Sequence, residues 1–137
     1  MPRVTVHRKA HFNAAHRLHR KDWSVEKNFE VFGKCSNPNY HGHNYELVVS
    51  VTGEIDKETG FVMDLAILRR LIKSEIEETL DHKNLNVEVD EFKDLNPTAE
   101  NISVVIYNKL REKISQDLEL SIKLYETPRN FVTYSGE

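Results

Sequence analysis

Two segments of the chain alternate apolar and polar residues as β-strands do, and both carry histidine on the apolar side. In residues 2–18, His16 continues the even-numbered apolar series of Val4, Val6, Ala10, Phe12 and Ala14. In residues 43–55, His43 begins the odd-numbered apolar series of Tyr45, Leu47, Val49 and Val51, and His41 precedes it in phase. Residues i and i+2 of a strand point to the same face, so the three imidazoles face inward together if the strands pair.

Three histidines on an inward face predict a metal site. A buried imidazole is costly unless its ring nitrogens have partners, and one metal ion would satisfy all three rings. Three nitrogen ligands with an open fourth position are typical of catalytic zinc. The alternative interpretation is a set of core histidines bonded to backbone. The other histidines of the first half fall at polar or loop positions and are predicted to be at the surface: His7, His11 and His19.

The rest of the pattern predicts an α+β domain with the element order β-β-α-α-β-β. Residues 19–40 contain Gly, Pro and Asn and are predicted to form a long ordered loop, which in a compact domain is often functional. One helix is expected to start at Asp64 and another at Asn96-Pro97-Thr98, followed by strands at 118–126 and 130–135. This order indicates an antiparallel sheet covered on one face by two helices.

Composition excludes several classes of protein. The 137 residues, 39% hydrophobic and 30% charged, predict one globular domain over residues 1–137. A net charge of −3 with scattered Lys and Arg argues against a nucleic-acid surface, and no apolar run is long enough to span a membrane. The start of the chain lacks the apolar core of a signal peptide, and a lone cysteine fits a reducing compartment, so we expect a cytoplasmic protein.

Cys35 lies six residues before His41, in the loop that leads to the predicted metal site. A thiolate there would act as a base or nucleophile if a cation or an imidazole lowers the thiol pKa. Two alternatives stay open at this point. Cys35 is either an inert buried thiol or a fourth ligand that closes a structural zinc site.

Several carboxylates and their neighbours are further candidates. Glu126 continues the inward-facing series of Leu118, Leu120, Ile122 and Leu124, and an inward carboxylate needs a partner such as a flat pair of N–H donors on a ligand. Otherwise Glu126 is a strand-end residue that reaches solvent. Asp81 beside His82 resembles the acid–base half of a relay, although such pairs are also common at helix ends. Thr98 and Glu100 fit a helix cap and a first-turn acid equally well.

Six segments of the chain together resemble one known family. They are FNAAHRL, FGKCSNPNYHGHNYE, TGEIDKETGFVMD, LDHKNLN, PTAEN and YETPRNFVTYSGE. Their order and spacing are similar to those of the 6-pyruvoyl-tetrahydropterin synthase family, and the resemblance covers essentially the whole chain. It implies the tunnelling fold (T-fold), in which subunits form trimeric barrels that stack into homo-hexamers with active sites between subunits.

The same resemblance implies roles for the candidate residues. The zinc ligands would be His16, His41 and His43. The general base and its two relay partners would be Cys35, Asp81 and His82. The amino-pyrimidine edge of a pterin would be anchored by Glu126, in a pocket that is also lined by Thr98 and Glu100.

The activity that the resemblance implies is a magnesium-dependent loss of triphosphate from 7,8-dihydroneopterin triphosphate, giving 6-pyruvoyl-tetrahydropterin. A sister branch, the 6-carboxytetrahydropterin synthases of queuosine biosynthesis, uses the same substrate and releases acetaldehyde. The spacing Cys-x5-His-Gly-His favours the pyruvoyl branch, whereas Asn96-Pro97-Thr98 resembles the carboxy branch and Ala99 stands where the pyruvoyl enzymes carry a hydroxyl residue. A third branch carries Glu where this chain has Cys35. A non-catalytic module that binds zinc and pterin is the remaining alternative.

Overall fold

Two long strands that pair along their whole length form the centre of the sheet. In the computed structural model, which describes residues 2–137, β1 (Arg3–His16) and β2 (His41–Glu54) are antiparallel. Their register runs from Arg3 opposite Glu54 to His16 opposite His41. Both predicted strands are therefore confirmed, and β2 starts two residues earlier than expected.

Three shorter strands complete the sheet in the order β3-β1-β2-β4-β5. They are β3 (Lys83–Asn84), β4 (Glu119–Tyr125) and β5 (Phe131–Tyr134). The last two are antiparallel to their neighbours, as predicted, whereas β3 pairs in parallel with Ala14 and Ala15 of β1. Sequence analysis missed β3 because a strand of two residues has no alternation to detect.

The prediction of a loop at residues 19–40 was wrong in one respect. This segment contains a helix, α1 (Val25–Phe32), which is followed by a 3-10 turn at Gly33–Ser36. The Ser24 hydroxyl caps α1 by accepting from the Lys27 amide at 3.1 Å. Asn28 is the one buried residue of this helix. Val25 and Phe29 are spaced as on one helix face, but both are exposed in the single chain instead of packing against the core.

Two longer helical segments cover the inward face of the sheet. The first is α2 (Leu65–Ile72), which continues through a π-helical turn (Lys73–Glu77) into α3 (Glu78–Leu80). The second is α5 (Ala99–Arg111). A short helix, α4 (Leu85–Glu88), lies between them in the sequence. Asp64 and Thr98 cap α2 and α5 as predicted, accepting from the amides of Ala66 and Asn101.

The core lies between these helices and the inward residues of β1, β2 and β4. Among its largest fully buried side chains are Phe12 and Tyr45, whose rings stack with centroids 4.9 Å apart. An aromatic pair of this kind contributes roughly 0.5–1.5 kcal/mol beyond its buried area. The Tyr45 ring of this pair lies next to the inward-facing histidines, with ring centroids 6.2 Å from His16 and 5.6 Å from His43. Within residues 2–137, no helix combines the length and the apolar character that crossing a bilayer requires.

Candidate functional site

Three imidazole rings meet at the end of the β1–β2 pair. His16 lies opposite His41 in the strand register, and His43 is two residues further along the same face of β2. The ring centroids are 4.6 Å apart for His16 and His41, and 5.0 Å for each of the other two pairs. One ligand nitrogen from each ring lies within 4.8 Å of the others, so the group could hold a metal ion.

The hydrogen bonds of His16 leave one ring nitrogen available for a ligand. His16 is only 1% exposed, and its Nδ1–H donates to the carbonyl oxygen of Pro97 at 2.7 Å. Because Nδ1 carries the proton, Nε2 carries the lone pair, which is the form that a metal binds. Among the residues that the structure describes, Nε2 of His16 and Nε2 of His43 are both buried without a hydrogen-bond partner. The site therefore fits a metal ion better than a set of satisfied core histidines.

The electrostatics of the cluster favour the neutral forms of His16 and His41. The pKa of His16 is lowered to about 4, mainly by burial, which outweighs the opposing Pro97 hydrogen bond, and to a smaller extent by the nearby His41 and His43. Burial and His43 also lower the pKa of His41, while the Glu126 carboxylate acts in the opposite direction. Neutral imidazoles at physiological pH can bind a cation without first losing a proton.

Glu126 follows β4 and turns its carboxylate toward the histidines. Its two oxygens lie 4.0 Å from Nε2 of His16 and 3.9 Å from Nε2 of His43, too far for direct hydrogen bonds. The side chain is 24% exposed, so it reaches the cluster instead of extending into solvent. Strand parity therefore predicted its direction correctly.

Cys35 lies on the 3-10 turn after α1. Its carbonyl oxygen accepts from the Leu18 amide at 2.7 Å, which joins the turn to the segment just after His16. Burial raises the pKa of the thiol, and so does the negative charge of Glu126. Among the residues that the structure describes, the potential metal-ligand atoms that lie within 4.8 Å of one another belong to the three histidines. The Cys35 sulfur is not part of this group.

Asp81 and His82 lie at the outer edge of β1. Asp81 accepts from the Asn13 amide at 2.8 Å through Oδ1 and pairs with Nδ1 of His82 at 2.9 Å through Oδ2. The His82 side chain is 83% exposed, and its φ of 60° places it in the left-handed region. Across residues 2–137, no hydrogen bond or ion pair joins either residue to Cys35, so one chain alone does not assemble this predicted relay.

Thr98 and Glu100 occupy the start of α5. The Thr98 hydroxyl accepts from the Asn101 amide at 3.1 Å, so its capping role is observed directly. Because Thr98 follows Pro97, this cap adjoins the carbonyl oxygen that holds His16. Glu100 is exposed, and its pterin-binding role stays a prediction, as does that of Thr98.

Comparison with known proteins identifies the family of this chain. The family model for 6-pyruvoyl tetrahydropterin synthase matches residues 5–137. The chain belongs to this family. A 6-pyruvoyl tetrahydrobiopterin synthase of Pongo abelii is 48% identical over 132 residues, which are 96% of this chain and 91% of that relative.

Members of the family also resemble this chain in structure. The 6-pyruvoyl tetrahydropterin synthase of Caenorhabditis elegans superposes with a TM-score of 0.93 at 42% identity, covering 100% of this chain and 98% of that one. The T-fold implied by the sequence resemblance is thereby confirmed. A 6-carboxy-5,6,7,8-tetrahydropterin synthase of Rickettsia conorii is 30% identical over 143 residues, covering 91% of this chain and 95% of that relative.

Three features of this family member's site were missed by sequence analysis. The Pro97 carbonyl is a backbone group, which carries no signal of its own. Tyr40, directly before His41, has a φ of 65°. Because non-glycine residues rarely adopt this left-handed conformation, the residue type did not predict it. His19 was predicted to lie at the surface, but it is partly buried and its Nδ1 has no partner among the described residues. His7 and His11 are exposed as predicted.

Proposed function

We propose that this chain is a zinc-dependent lyase that converts 7,8-dihydroneopterin triphosphate to 6-pyruvoyl-tetrahydropterin with loss of triphosphate. The observation that carries the proposal is the convergence of three imidazoles, two with buried, unpartnered Nε2 atoms, beside the Glu126 carboxylate. The name of the relative at 48% identity supports the same activity.

Zinc is the metal that best suits three nitrogen ligands, which are His16, His41 and His43. When bound, zinc supplies Lewis acidity that makes a C–H proton beside the substrate's side-chain oxygens removable. His16 and His41 favour the neutral form without help from the ion, because burial and the neighbouring imidazoles lower their pKa values. Residues of the chain therefore arrange the site before the metal arrives.

Glu126 binds and orients the pterin in this proposal. An ionised carboxylate is an acceptor with two oxygens, and the amino-pyrimidine edge of a pterin offers two parallel N–H donors. The oxygens lie 3.9–4.0 Å from the nearest histidine nitrogens. A ring anchored there has its side chain next to the metal-binding face of the cluster.

Cys35 is the proposed general base, which takes the proton as the substrate's C–H bond breaks and an S–H bond forms. In the chain itself, burial and Glu126 hold the thiol pKa high, so the thiol is protonated. A divalent cation held by the histidines would oppose the charge of Glu126, and pairing of that carboxylate with the pterin would have the same effect. Both changes favour the thiolate when substrate is present.

Asp81 and His82 are proposed to reach this base from a neighbouring copy of the chain in a homo-hexamer built from two trimers. Two observations support this arrangement. The pair is exposed at a sheet edge in the single chain, and β3 covers only Ala14 and Ala15 on that side of β1. The strand edge from Arg3 to Phe12 is therefore available for another copy. Magnesium is proposed to accompany the triphosphate, and the enzyme is proposed to act in the cytoplasm.

A 6-carboxytetrahydropterin synthase is the second candidate, because Asn96-Pro97-Thr98 resembles that branch and Ala99 departs from the pyruvoyl enzymes. The lower identity of the Rickettsia conorii relative, 30% against 48%, favours the pyruvoyl enzyme. The spacing from Cys35 to His41 favours it as well.

The test is identification of the product by mass after incubation with 7,8-dihydroneopterin triphosphate and Mg²⁺. Inorganic triphosphate together with the pyruvoyl product is the expected result. A carboxylated pterin with acetaldehyde would assign the chain to the sister branch. Zinc-loaded protein that releases no triphosphate would contradict the enzymatic function altogether.

A further inference from the structure

A basic cleft lies next to the histidine cluster, and neither the metal site nor the pterin anchor uses it. Its volume is about 590 Å³, within the usual range for small-molecule sites. Its walls include His19, Lys21, Tyr40, Lys93 and Asp94. We call this space the phosphate cleft.

The phosphate cleft adjoins the histidines through three chain segments. His19 is three residues beyond His16, and Tyr40 directly precedes His41. Asn96, also in the lining, precedes Pro97, whose carbonyl oxygen holds His16. The same three segments of the chain therefore contribute residues to the cleft and to the histidine site.

The positive charge of the cleft is available to a ligand. Arg20 is neutralised by Asp22, which it contacts through two nitrogens at 2.9 and 2.7 Å. Lys21 and Lys93 are different, because within residues 2–137 neither ammonium has a carboxylate within 4.0 Å. His19 adds a buried Nδ1 that lacks a partner in the same residues. The ammonium groups of Lys21 and Lys93 are donors without acceptors, which suits an anion.

Side-chain amides hold the cleft wall in place although the segment after His16 has left the sheet. The Asn86 side chain accepts a hydrogen bond from the Arg17 amide at 2.8 Å and donates one to the Arg17 carbonyl oxygen at 2.9 Å. Asn96 accepts from the His19 amide at 3.1 Å. A wall that is ordered before binding costs less entropy when a ligand arrives.

The geometry points to the phosphate cleft as the subsite for a magnesium-bound polyphosphate chain, with Lys21 and Lys93 as its cationic contacts. This inference rests on the proposed function, which supplies a triphosphate substrate. Asp94 fits the same ligand, because Mg²⁺ in phosphate sites is commonly held by one or two carboxylates together with phosphate oxygens.

The test uses inorganic tripolyphosphate with Mg²⁺ as the probe and the full-length, zinc-loaded protein. Lys21→Ala/Lys93→Ala should weaken tripolyphosphate binding by about tenfold or more in calorimetry, because two charge-assisted contacts are lost. It should raise KM for the pterin triphosphate by a similar factor with kcat little changed. Lys57→Ala/Lys113→Ala removes the same charge from exposed positions away from the cleft and should change neither value.

The outcomes separate this inference from the proposed function. Normal turnover by the wild-type protein, with equal tripolyphosphate affinity in both double variants, would overturn the phosphate cleft and leave the lyase intact. Wild-type binding of tripolyphosphate that depends on Lys21 and Lys93, without turnover of the pterin triphosphate, would support the cleft and contradict the lyase. Wild-type protein that binds no tripolyphosphate would overturn the cleft directly.

Discussion

The imidazole of His16 donates from Nδ1 to the carbonyl oxygen of Pro97 at 2.7 Å, joining the end of β1 to the residue before the α5 cap. Two motifs 81 residues apart in sequence are thereby part of one site. The bond fixes the ring orientation and directs Nε2 toward the other histidines. Partners of this kind raise the affinity of a histidine ligand for its metal.

The cap of α5 should therefore influence the metal as well as the helix. Thr98→Ala removes the hydroxyl that accepts from Asn101, and we expect a loss of about 1 kcal/mol in the free energy of unfolding. We also expect weaker zinc binding, because Pro97 is less firmly held. Ser24→Ala, which removes the corresponding cap of α1, is the matched control and should leave zinc affinity unchanged. Urea denaturation and competition with a zinc chelator measure the two effects, and equal zinc affinity in both variants would contradict this coupling.

Cys35→Ala distinguishes a catalytic thiol from a structural ligand. Because the sulfur is outside the histidine group, the variant should retain its zinc and its thermal stability while turnover falls by about 10²-fold or more, as expected for loss of a general base. Metal analysis, a melting curve and a product assay on the same preparation measure the zinc content, the thermal stability and the turnover of the variant. Reduced zinc content together with a lower Tm would instead identify Cys35 as a fourth ligand.

Glu126→Gln should weaken binding of the pterin ring far more than it disturbs folding. The amide presents an N–H donor to a donor edge, so one hydrogen bond becomes a repulsive contact and affinity should fall by about tenfold or more. Fluorescence titration with a pterin that lacks phosphates isolates this effect from the phosphate cleft. Glu46→Gln, on an exposed position of β2, is the control. Equal affinity in the two variants would show that Glu126 is not the anchor.

The same substitution should also change the acidity of Cys35. Glu126 raises the thiol pKa in addition to burial, so removal of its charge should lower that pKa and move the midpoint of alkylation to lower pH. The rate of iodoacetamide labelling against pH, measured on metal-free protein, gives this midpoint. Glu100→Gln, which alters an exposed carboxylate, should leave it where it is. A midpoint that Glu126→Gln does not shift would refute the electrostatic link between the two residues.

The parts of the site that follow strand parity were predictable from the sequence. His16, His41, His43 and Glu126 continue apolar series, and a period of two fixes the face to which each points. The helix starts at Asp64 and Thr98 were equally accessible, because capping residues act on amides two or three positions away.

Long-range backbone contacts and local strain were not predictable in this way. The Pro97 carbonyl has no residue type that marks it as a partner of His16. The position of Asp81 depends on its bond to the Asn13 amide, which follows from how the chain leaves α3 and not from its neighbours in sequence. For the same reason, sequence adjacency could not reveal that Asp81 and His82 lie away from Cys35 in a single chain. Helix α1 was missed although Val25, Phe29 and Phe32 recur at helical spacing, because Gly33 and the residues that follow it are typical of a loop.

Zinc content, measured by elemental analysis of protein purified without added metal, tests the central claim most directly. We predict about one zinc per chain in the wild-type protein and in His11→Ala, whose imidazole is exposed, and a large loss in His43→Ala. Wild-type protein that is free of metal yet fully active, or zinc retained in full by His43→Ala, would contradict the account.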